Sequence, residues 1–527
     1  MRIRVGTDHL GRVLAGLMLT AGLLATGLTG GAGSASASQK ATKGSGNSLT
    51  VLESSGLNGT WPTLDPLTGL GLAEQPYEDA IYGDLFEQGA TAQKIIPDLA
   101  SGYSLTNGGT TLEIFIRHGV TFTDGTPFNA DAVAQNIRRD LTPSFACACL
   151  AQFPVSSVTT TGNYTVVLHL SQVDGHIMQA FFGEAPNWIL SPTALQKMGE
   201  SAFGQKPVGA GPFQVVSNIP SSKLVLKRNP NYWQKGLPHL SSLTFQSIGS
   251  DESAYDALVS GQAQAYQGFT TYSAIAADSR QVKVNALNPH GLGPFVLQLN
   301  TAVPPFNNIL AREAIYYATN PAPIVRALTA GHGQVVQSPT SPGTLYYEKK
   351  VPGYRTYNLA KAKALVKQLG GLSFQLGTIN QLIDNNIDAA LKSEWAQAGI
   401  QANLADWDLS PLVQQFRSGK WQAMTQNAGG TDPALAKGLA FRWASKAPFT
   451  GVHDATLDQM INKGLETVNP SAQGPIYSQI WKYIAQQAYS PILFWVPDYS
   501  LSTHGVSGPG LTSALGGFQV MWQYAKA

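Results

Sequence analysis

Alternating apolar and polar positions predict several half-buried strands in the first half of the chain. Residues 111–117 alternate in this way, with Leu112, Ile114 and Ile116 on one face. A turn and a helix follow, and either Asn129 or Asp131 is placed to cap that helix. Further strands are predicted where short apolar runs lie between turn residues, at 49–52, 165–170 and 224–226.

The second half of the chain alternates between helical and strand patterns. Asn358 is predicted to cap a helix that ends at Gly370-Gly371, and a strand follows at 374–379. Apolar residues at 387, 391 and 395 form one helix face, and 400–404 then alternates as a strand. Pro475 is predicted to open a helix, and 491–496 to form a buried strand. Strands and helices in this order build mostly parallel α/β sheets.

The N-terminus has the features of a secretory signal peptide. Three Arg residues precede an apolar run from Val13 to Leu28, and Ala35-Ser36-Ala37 is an A-x-A cleavage site. We therefore expect residues 1–37 to be removed after Ala37, the alternative being a retained anchor. Leu28-Thr29-Gly30 resembles the motif before a lipid-modified Cys, but Gly31 follows. A flexible tether is predicted at 38–47, and an extracytoplasmic mature chain that is periplasmic, wall-associated or secreted.

Composition excludes several classes of protein. The 527 residues carry a formal net charge of only +2, and 43 % are hydrophobic, so the chain is neither disordered nor a nucleic-acid binder. Its length predicts several domains. The 10 Trp and 19 Tyr residues stand against a charged fraction of 13 %, which suggests a neutral, aromatic-lined binding surface.

Motifs for covalent chemistry are absent from the sequence. It contains no H-E-x-x-H, no G-x-S-x-G and no G-x-x-x-x-G-K-[ST]. We therefore predict no catalytic residues, no metal and no cofactor, and no enzyme activity. Cys147 and Cys149 are expected to be ordinary thiols or a strained local bond, and an intermolecular bridge is the remaining alternative.

Sequence blocks in a fixed order extend along about the whole mature chain. The longest runs from Thr106 to Arg139, and the others are Thr63–Pro66, Leu85–Glu87, Pro97–Ala100, Pro207–Phe213, Lys227–Trp233, Asn300–Thr319, Asn358–Leu369, Trp395–Ile400 and Asp432-Pro433. These blocks resemble the extracytoplasmic solute-binding proteins of peptide and nickel ABC importers, the dipeptide/oligopeptide-binding family (bacterial family 5). Within them, Gly209 and Gly211 are expected where a side chain would clash.

The resemblance implies an α/β fold, a two-lobed periplasmic-binding-protein-like (type II) clamp with an extra domain in the first lobe. Two crossing segments, near Asn288–Gly291 and Trp495–Pro497, would form the hinge, and the ligand would bind between the lobes. The implied parts are lobe I at 48–69, 187–282 and 495–527, the extra domain at 70–186, and lobe II at 283–494.

The loop before Asp432-Pro433 differs from that of many peptide-binding relatives. In those relatives, an Asp in this loop holds the α-amino group of the peptide. Here the position three residues before Asp432 is Gly429, which makes a free dipeptide a less suitable ligand. The loop residues that we nevertheless expect at the ligand are Asn427, Gly429, Gly430, Thr431 and Asp432.

Five further residues are predicted to contact ligand. Trp61 precedes a motif in a region that lines the cleft in the family, and Asn380 follows a strand directed toward it. Trp407 and Trp443 offer aromatic faces, and for these two, as for Trp61, a place in the core is the alternative interpretation. Arg442 is a candidate partner for a ligand carboxylate, the alternative being a surface ion pair.

The predicted function is the capture of a peptide or peptide-like solute and its delivery to an ABC importer. The expected partners are that ligand and the permease subunits, with no nucleic acid, and the protein is expected to be a monomer. The alternatives are the same fold binding an oligosaccharide or a metal chelate, a sensor that feeds no transporter, and a secreted hydrolase that keeps the fold.

Overall fold

In a computed structural model of the chain, the described residues are 47–54, 61–68, 75–88, 95–142, 154–182, 184–269, 281–288, 293–343, 346–379, 382–427, 442–445, 450–496, 498–507 and 525–526. Within these ranges the strands form sheets of seven, six and four strands and two small sheets of two strands. The predicted signal peptide, most of the tether, Cys147 and Cys149 lie outside the described residues. No helix in the described part has the length and apolarity needed to cross a membrane.

The strands are numbered in chain order. They are β1 (Ser48–Ser54), β2 (Phe86–Gln88), β3 (Ile95–Pro97), β4 (Ala100–Thr106), β5 (Thr111–Ile116), β6 (Val155–Thr161), β7 (Thr165–Leu170), β8 (Phe213–Ile219), β9 (Lys223–Arg228), β10 (Ser242–Ile248), β11 (Ala265–Phe269), β12 (Lys283–Asn288), β13 (Phe295–Leu299), β14 (Gln334–Val335), β15 (Leu372–Ile379), β16 (Ile400–Trp407), β17 (Ala423–Asn427), β18 (Ile492–Trp495), β19 (Asp498–Ser502), β20 (Val506–Ser507) and β21 (Ala525–Lys526).

The helices are likewise numbered along the described chain. They are α1 (Gln75–Tyr82), α2 (Ala130–Asp140), α3 (Pro192–Met198), α4 (Glu200–Gln205), α5 (Asp251–Val259), α6 (Ile309–Ala318), α7 (Pro321–Thr329), α8 (Leu359–Gln368), α9 (Leu382–Ala396), α10 (Leu409–Ser418), α11 (Ala455–Glu466) and α12 (Pro470–Gln486).

The seven-stranded sheet combines strands from both ends of the chain, in the order β12-β19-β11-β1-β10-β9-β8. β1 lies parallel to both β10 and β11, whereas β19 runs antiparallel to β11 and β12. A buried cluster that includes Val51, Tyr77 and Phe245 packs against one face of this sheet. A smaller cluster around Leu52 and Leu258 packs against the other face, beneath α5.

The six-stranded sheet has the order β14-β18-β13-β17-β15-β16. β15 is parallel to β16 and β17, as the alternating helix and strand pattern predicts, and β13 is antiparallel to β17 and β18. Ile387, Leu391 and Trp395 of α9 are fully buried in its core, which confirms the predicted helix face.

The four-stranded sheet, β4-β5-β7-β6, is antiparallel and carries α2. The predicted strands at 111–117 and 165–170 are β5 and β7. Of the two capping candidates for α2, Asn129 is the cap, because its side chain accepts a hydrogen bond from the Ala132 N–H at 3.0 Å. Asn358 caps α8 in the same way, from the Lys361 N–H at 3.0 Å.

The prediction that Pro475 opens a helix is wrong. α12 begins at Pro470, five residues earlier, and Pro475 lies inside it. Asn469 caps the helix by accepting from the Ser471 N–H at 2.9 Å, and Pro470 occupies a first-turn position where no N–H is needed. Pro475 is the sixth residue of the helix, beyond its first turn, so its missing N–H removes one backbone hydrogen bond of the helix.

Gly209 and Gly211 lie against the backbone at the end of α1, as predicted. A Cβ atom on Gly211 would stand 2.6 Å from the carbonyl of Ile81 and 2.7 Å from the nitrogen of Gly83. One on Gly209 would stand 2.3 Å from the Ile81 oxygen. Only glycine allows the two backbone segments to come this close. At this distance the Gly211 N–H donates a hydrogen bond to the Ile81 carbonyl at 3.0 Å.

The segment that follows β7 contacts the junction of α11 and α12. The Gly175 N–H donates to the carbonyl of Leu465 at 2.6 Å. His176 is buried, and its Nε2 lies 2.9 Å from the Tyr477 hydroxyl and 2.8 Å from Nε2 of Gln473. Burial lowers the pKa of His176 to about 4, so the ring is neutral at pH 7 and Nε2 accepts these hydrogen bonds.

Candidate functional site

The carboxyl ends of the parallel strands in the two large sheets adjoin the same chain crossings. In the six-stranded sheet, β15, β16, β17 and β18 end at the edge where β13 begins. In the seven-stranded sheet, β1, β10, β11 and β12 end at the edge where β19 begins. The chain passes between these edges twice, from β12 to β13 and from β18 to β19. Ligands of open α/β sheets bind beyond the carboxyl ends of the strands, so this is the candidate site.

Arg442 belongs to a ring of hydrogen bonds at the carboxyl end of β17. Its Nη1 donates to Oε1 of Gln426, whose Nε2 donates to Oε1 of Gln298. Nε2 of Gln298 in turn donates to the backbone carbonyl of Arg442 at 2.7 Å. Burial lowers the pKa of Arg442 to about 10, so the guanidinium remains charged at pH 7. These hydrogen bonds hold the half-buried guanidinium of Arg442 in one orientation at this edge. Arg442 is therefore not an exposed surface side chain.

Asn427, the last residue of β17, holds the nearby crossing. Its amide donates to the carbonyl of Gly293 at 2.9 Å, and it is paired with Phe295 at the start of β13. The side chain is half-buried. The structure therefore brings this predicted residue together with Arg442 at one edge of the sheet.

Trp407 lies over Gly377 at the end of β16. A Cβ on Gly377 would be 2.1 Å from the indole ring, so the absence of a side chain there makes room for the tryptophan. The ring is half-buried and packs against a cluster of Phe416, Trp421 and Met424. Contact of Trp407 with a ligand stays a prediction.

Trp61 and Trp443 are core residues. Trp61 is fully buried, its Nε1 donates to Oδ1 of Asn218 at 3.0 Å, and its ring centroid is 4.9 Å from that of Tyr77. Trp443 is also buried, and its Nε1 donates to the Ser490 hydroxyl at 3.0 Å. Their contact with a ligand stays a prediction. The other predicted site residues, Asn380, Gly429, Gly430, Thr431 and Asp432, lie outside the described residues.

Sequence reasoning missed two buried acids on α9. Asp384 and Asp388 are buried, and burial raises their pKa values to about 7 and about 8. The carboxylates of Asp384 and Asp406 raise the pKa of Asp388 further. The signal was present, because the two acids lie four residues apart and in phase with the apolar face of the helix.

Sequence reasoning also missed Glu53 near the carboxyl end of β1. Its side chain is buried, and burial raises its pKa well above the ordinary value. The alternation of Leu49, Val51 and Glu53 places a carboxylate on the apolar face of the strand, and this is visible in the sequence. Across the described ranges, no group of three or more His, Cys, Asp and Glu residues is arranged to hold a metal ion.

Comparisons with known proteins agree on one family. The family model for the middle region of bacterial extracellular solute-binding proteins, family 5, matches residues 94–449. The chain is 28 % identical over 449 residues to the glutathione-binding protein GsiB of Salmonella choleraesuis (strain SC-B67), covering 80 % of this chain and 85 % of that protein. It is 26 % identical over 455 residues to GsiB of Escherichia coli O1:K1 / APEC, covering 82 % and 86 %.

Solved structures show the same fold. The periplasmic binding protein DppA from Helicobacter pylori, in complex with the peptide STSA, matches with a TM-score of 0.77 at 20 % identity, covering 91 % of this chain and 98 % of that one. MoaA from A. tumefacien R10, in complex with mannopinic acid, matches with a TM-score of 0.80 at 20 % identity, covering 91 % and 99 %. These likenesses confirm the predicted two-lobed α/β fold of periplasmic binding proteins.

Proposed function

Because the chain belongs to the bacterial extracellular solute-binding proteins of family 5, we propose that it captures a peptide or peptide-like solute between two lobes and delivers it to an ABC importer. The solute would bind at the carboxyl edges described above. Its binding energy would shift the equilibrium between open and closed lobes, and the closed form would dock on the permease. No covalent step is involved in this function.

The proposal extends to the organisation and location of the protein. We assign lobe I to 48–69, 187–282 and 495–527, the extra domain to 70–186, and lobe II to 283–494, with the hinge at the two crossings. Residues 1–37 would direct export and be removed, which leaves an extracytoplasmic monomer. The partners would be the permease subunits of the importer.

The observation that carries the proposed ligand class is the fixed cation Arg442. Gln426 and Gln298 hold its guanidinium at the carboxyl end of β17. A guanidinium in a defined orientation recognises a carboxylate through paired, charge-assisted hydrogen bonds. Glutathione, the peptide STSA and mannopinic acid, which appear in the names of the similar proteins, are all carboxylic acids.

A thermal-shift screen of the exported protein tests this function. The panel contains di- to octapeptides, their C-terminal amides, glutathione and neutral oligosaccharides. A ligand at 100 times its dissociation constant stabilises the folded protein by about 2.7 kcal/mol, which is a measurable shift. Stabilisation by free acids supports the proposal, whereas stabilisation by oligosaccharides alone contradicts it.

Arg442→Gln identifies the residue that carries the specificity. Loss of a charge-assisted hydrogen bond is expected to weaken binding of the acid by roughly 10- to 100-fold and leave binding of its amide unchanged. Arg417→Gln is the matched control, because Arg417 is exposed on α10. Equal affinity of the wild type and Arg442→Gln for the acid would remove Arg442 from the site.

A further inference from the structure

A row of polar side chains crosses three neighbouring strands of the seven-stranded sheet. Glu53 of β1 is paired with Gln267 of β11, which is paired with Ser500 of β19. Residues that are paired directly in a ladder direct their side chains to the same face. Two residues earlier on that face, Val51 and Ala265 belong to the hydrophobic core. The polar row therefore lies where the apolar core ends, next to the carboxyl edge of the sheet.

The row contains buried hydrogen-bonding atoms that have no partner among the described residues. Glu53, Gln267 and Ser500 are 1 %, 5 % and 3 % exposed. Within the part of the chain that the structure describes, Oε1 of Glu53 and the hydroxyl of Ser500 have no hydrogen-bond partner. A buried polar group without a partner costs free energy, and a buried carboxylate needs a cation before it can ionise. A positively charged group would satisfy these acceptors and stabilise the carboxylate.

The position of the row places it beside the proposed solute site. β1 and β11 end one and two residues beyond Glu53 and Gln267, and Ser500 is the third residue of β19, which follows the crossing from β18. The row thus adjoins the edge at which the proposed function places the solute. Arg442 lies at the carboxyl edge of the other sheet, on the other side of the same crossings.

We propose that Glu53, together with Gln267 and Ser500, binds the ammonium group of the solute, so that the ligand is a zwitterion held by Glu53 in one lobe and Arg442 in the other. This inference rests on the proposed function and deepens it. An ammonium group has three donors, and the row offers a carboxylate, an amide oxygen and a hydroxyl as acceptors.

Binding of the ammonium group is expected to release a proton from Glu53, and this release can be measured. Burial raises the pKa of Glu53 well above its ordinary value, which favours the protonated carboxyl group as long as no cation is near it. When an ammonium group enters, the carboxylate is stabilised, and the Glu53 proton passes to the buffer while the ammonium keeps its own protons. Binding of a free amine is therefore expected to release protons, and binding of an N-acetylated ligand to release none.

The test uses the exported full-length mature protein with three probes: trialanine, N-acetyl-trialanine and trialanine amide. Titration calorimetry in buffers of different ionisation enthalpy gives both affinity and proton release. The wild type is expected to bind trialanine roughly 30-fold or more tightly than the N-acetyl form, with proton release. Glu53→Gln is expected to lose this preference and the proton release. Glu252→Gln, at an exposed position on α5, is expected to behave as the wild type.

Failure of the inference and failure of the proposed function give different results. If Glu53→Gln keeps the preference for the free amine, Glu53 is not the ammonium site, while peptide binding by the protein stands. If the wild type binds none of the three probes and none of the peptide panel, both statements are overturned. Should Glu53→Gln not fold, proton release in the wild type and an affinity loss of about 3- to 10-fold in Ser500→Ala decide the matter.

Discussion

His176 is predicted to make the folded protein lose stability in mild acid. The neutral ring accepts hydrogen bonds at Nε2 from partners on α12, and a backbone hydrogen bond to Gly464 occupies its other side. Protonation would place a buried charge there and turn the acceptor into a donor. The folded-state pKa, about 4, lies below the ordinary value of 6.5. The stabilisation is thus complete above pH 6.5 and is lost as the pH falls toward 4.

The magnitude follows from the two pKa values of His176. Lowering the pH from 7 to 5 removes roughly 2 kcal/mol of the free energy of unfolding, and about 3 kcal/mol is lost by pH 4. The neighbouring Asp174 acts in the opposite direction, because burial raises its pKa from 3.8 to about 6. Its contribution to stability is present below pH 3.8 and is lost as the pH rises through 6. A comparison with a variant at position 176 cancels this effect.

The assay is urea unfolding of the wild type and His176→Gln at pH 5, 6 and 7, followed by tryptophan fluorescence and circular dichroism. The Gln amide accepts and donates as the neutral ring does but does not ionise. The stability difference between the two proteins should shift in favour of His176→Gln by roughly 2 kcal/mol between pH 7 and pH 5. His453→Gln, at an exposed position, serves as control. A difference independent of pH would contradict this prediction, because it would mean that protonation of His176 does not oppose folding.

Three further predictions concern stability alone. In urea titrations, Gly211→Ala should lower the free energy of unfolding by about 3 kcal/mol or more, because the new Cβ would meet backbone atoms. Gly474→Ala is the control: its Cβ would have no atom within 4 Å, so the change should be neutral or stabilising by about 0.5 kcal/mol. Asp65→Asn should lower the free energy of unfolding by about 3 kcal/mol, because Arg139 contacts both oxygens of this buried carboxylate, one at 2.8 Å. The same loss of stability is expected in 1 M salt. The pKa of Asp388 is raised to about 8, so the free energy of unfolding of the wild type should fall as the pH rises toward 8. Between pH 5 and pH 8, the free energy of unfolding of Asp388→Asn should therefore rise by roughly 3 kcal/mol relative to that of the wild type. Parallel curves of stability against pH for the two proteins would contradict this.

Local patterns predicted those parts of the fold that local interactions decide. α8 and α9 follow from apolar residues at helical spacing and from the Asn358 cap, and β5 and β7 follow from alternation. Pro475 misled the prediction because proline is favoured at the start of a helix, whereas here the helix begins at another proline, Pro470, and tolerates Pro475 in its interior. The order of strands in the two large sheets depends on pairings between distant residues, which only the resemblance to a family indicated.

The site was less predictable than the fold. The aromatic rings of Trp61 and Trp443 suit a core as well as a pocket, and their sequence neighbours do not distinguish the two. The orientation of Arg442 depends on Gln298 and Gln426, which lie 128 positions apart in the chain. Glu53, by contrast, is a charged residue on an apolar strand face, and that conflict between pattern and burial was available from the sequence.

The place of β19 in the seven-stranded sheet affects how a nascent chain matures. β11 pairs with β19 along the edge away from β1, and β19 begins only at residue 498. Until the ribosome has supplied the last residues, one edge of β11 has no partner. Such an open edge recruits strands from other molecules. A premature stop before residue 498 therefore yields a fragment whose open sheet edge makes it prone to aggregate.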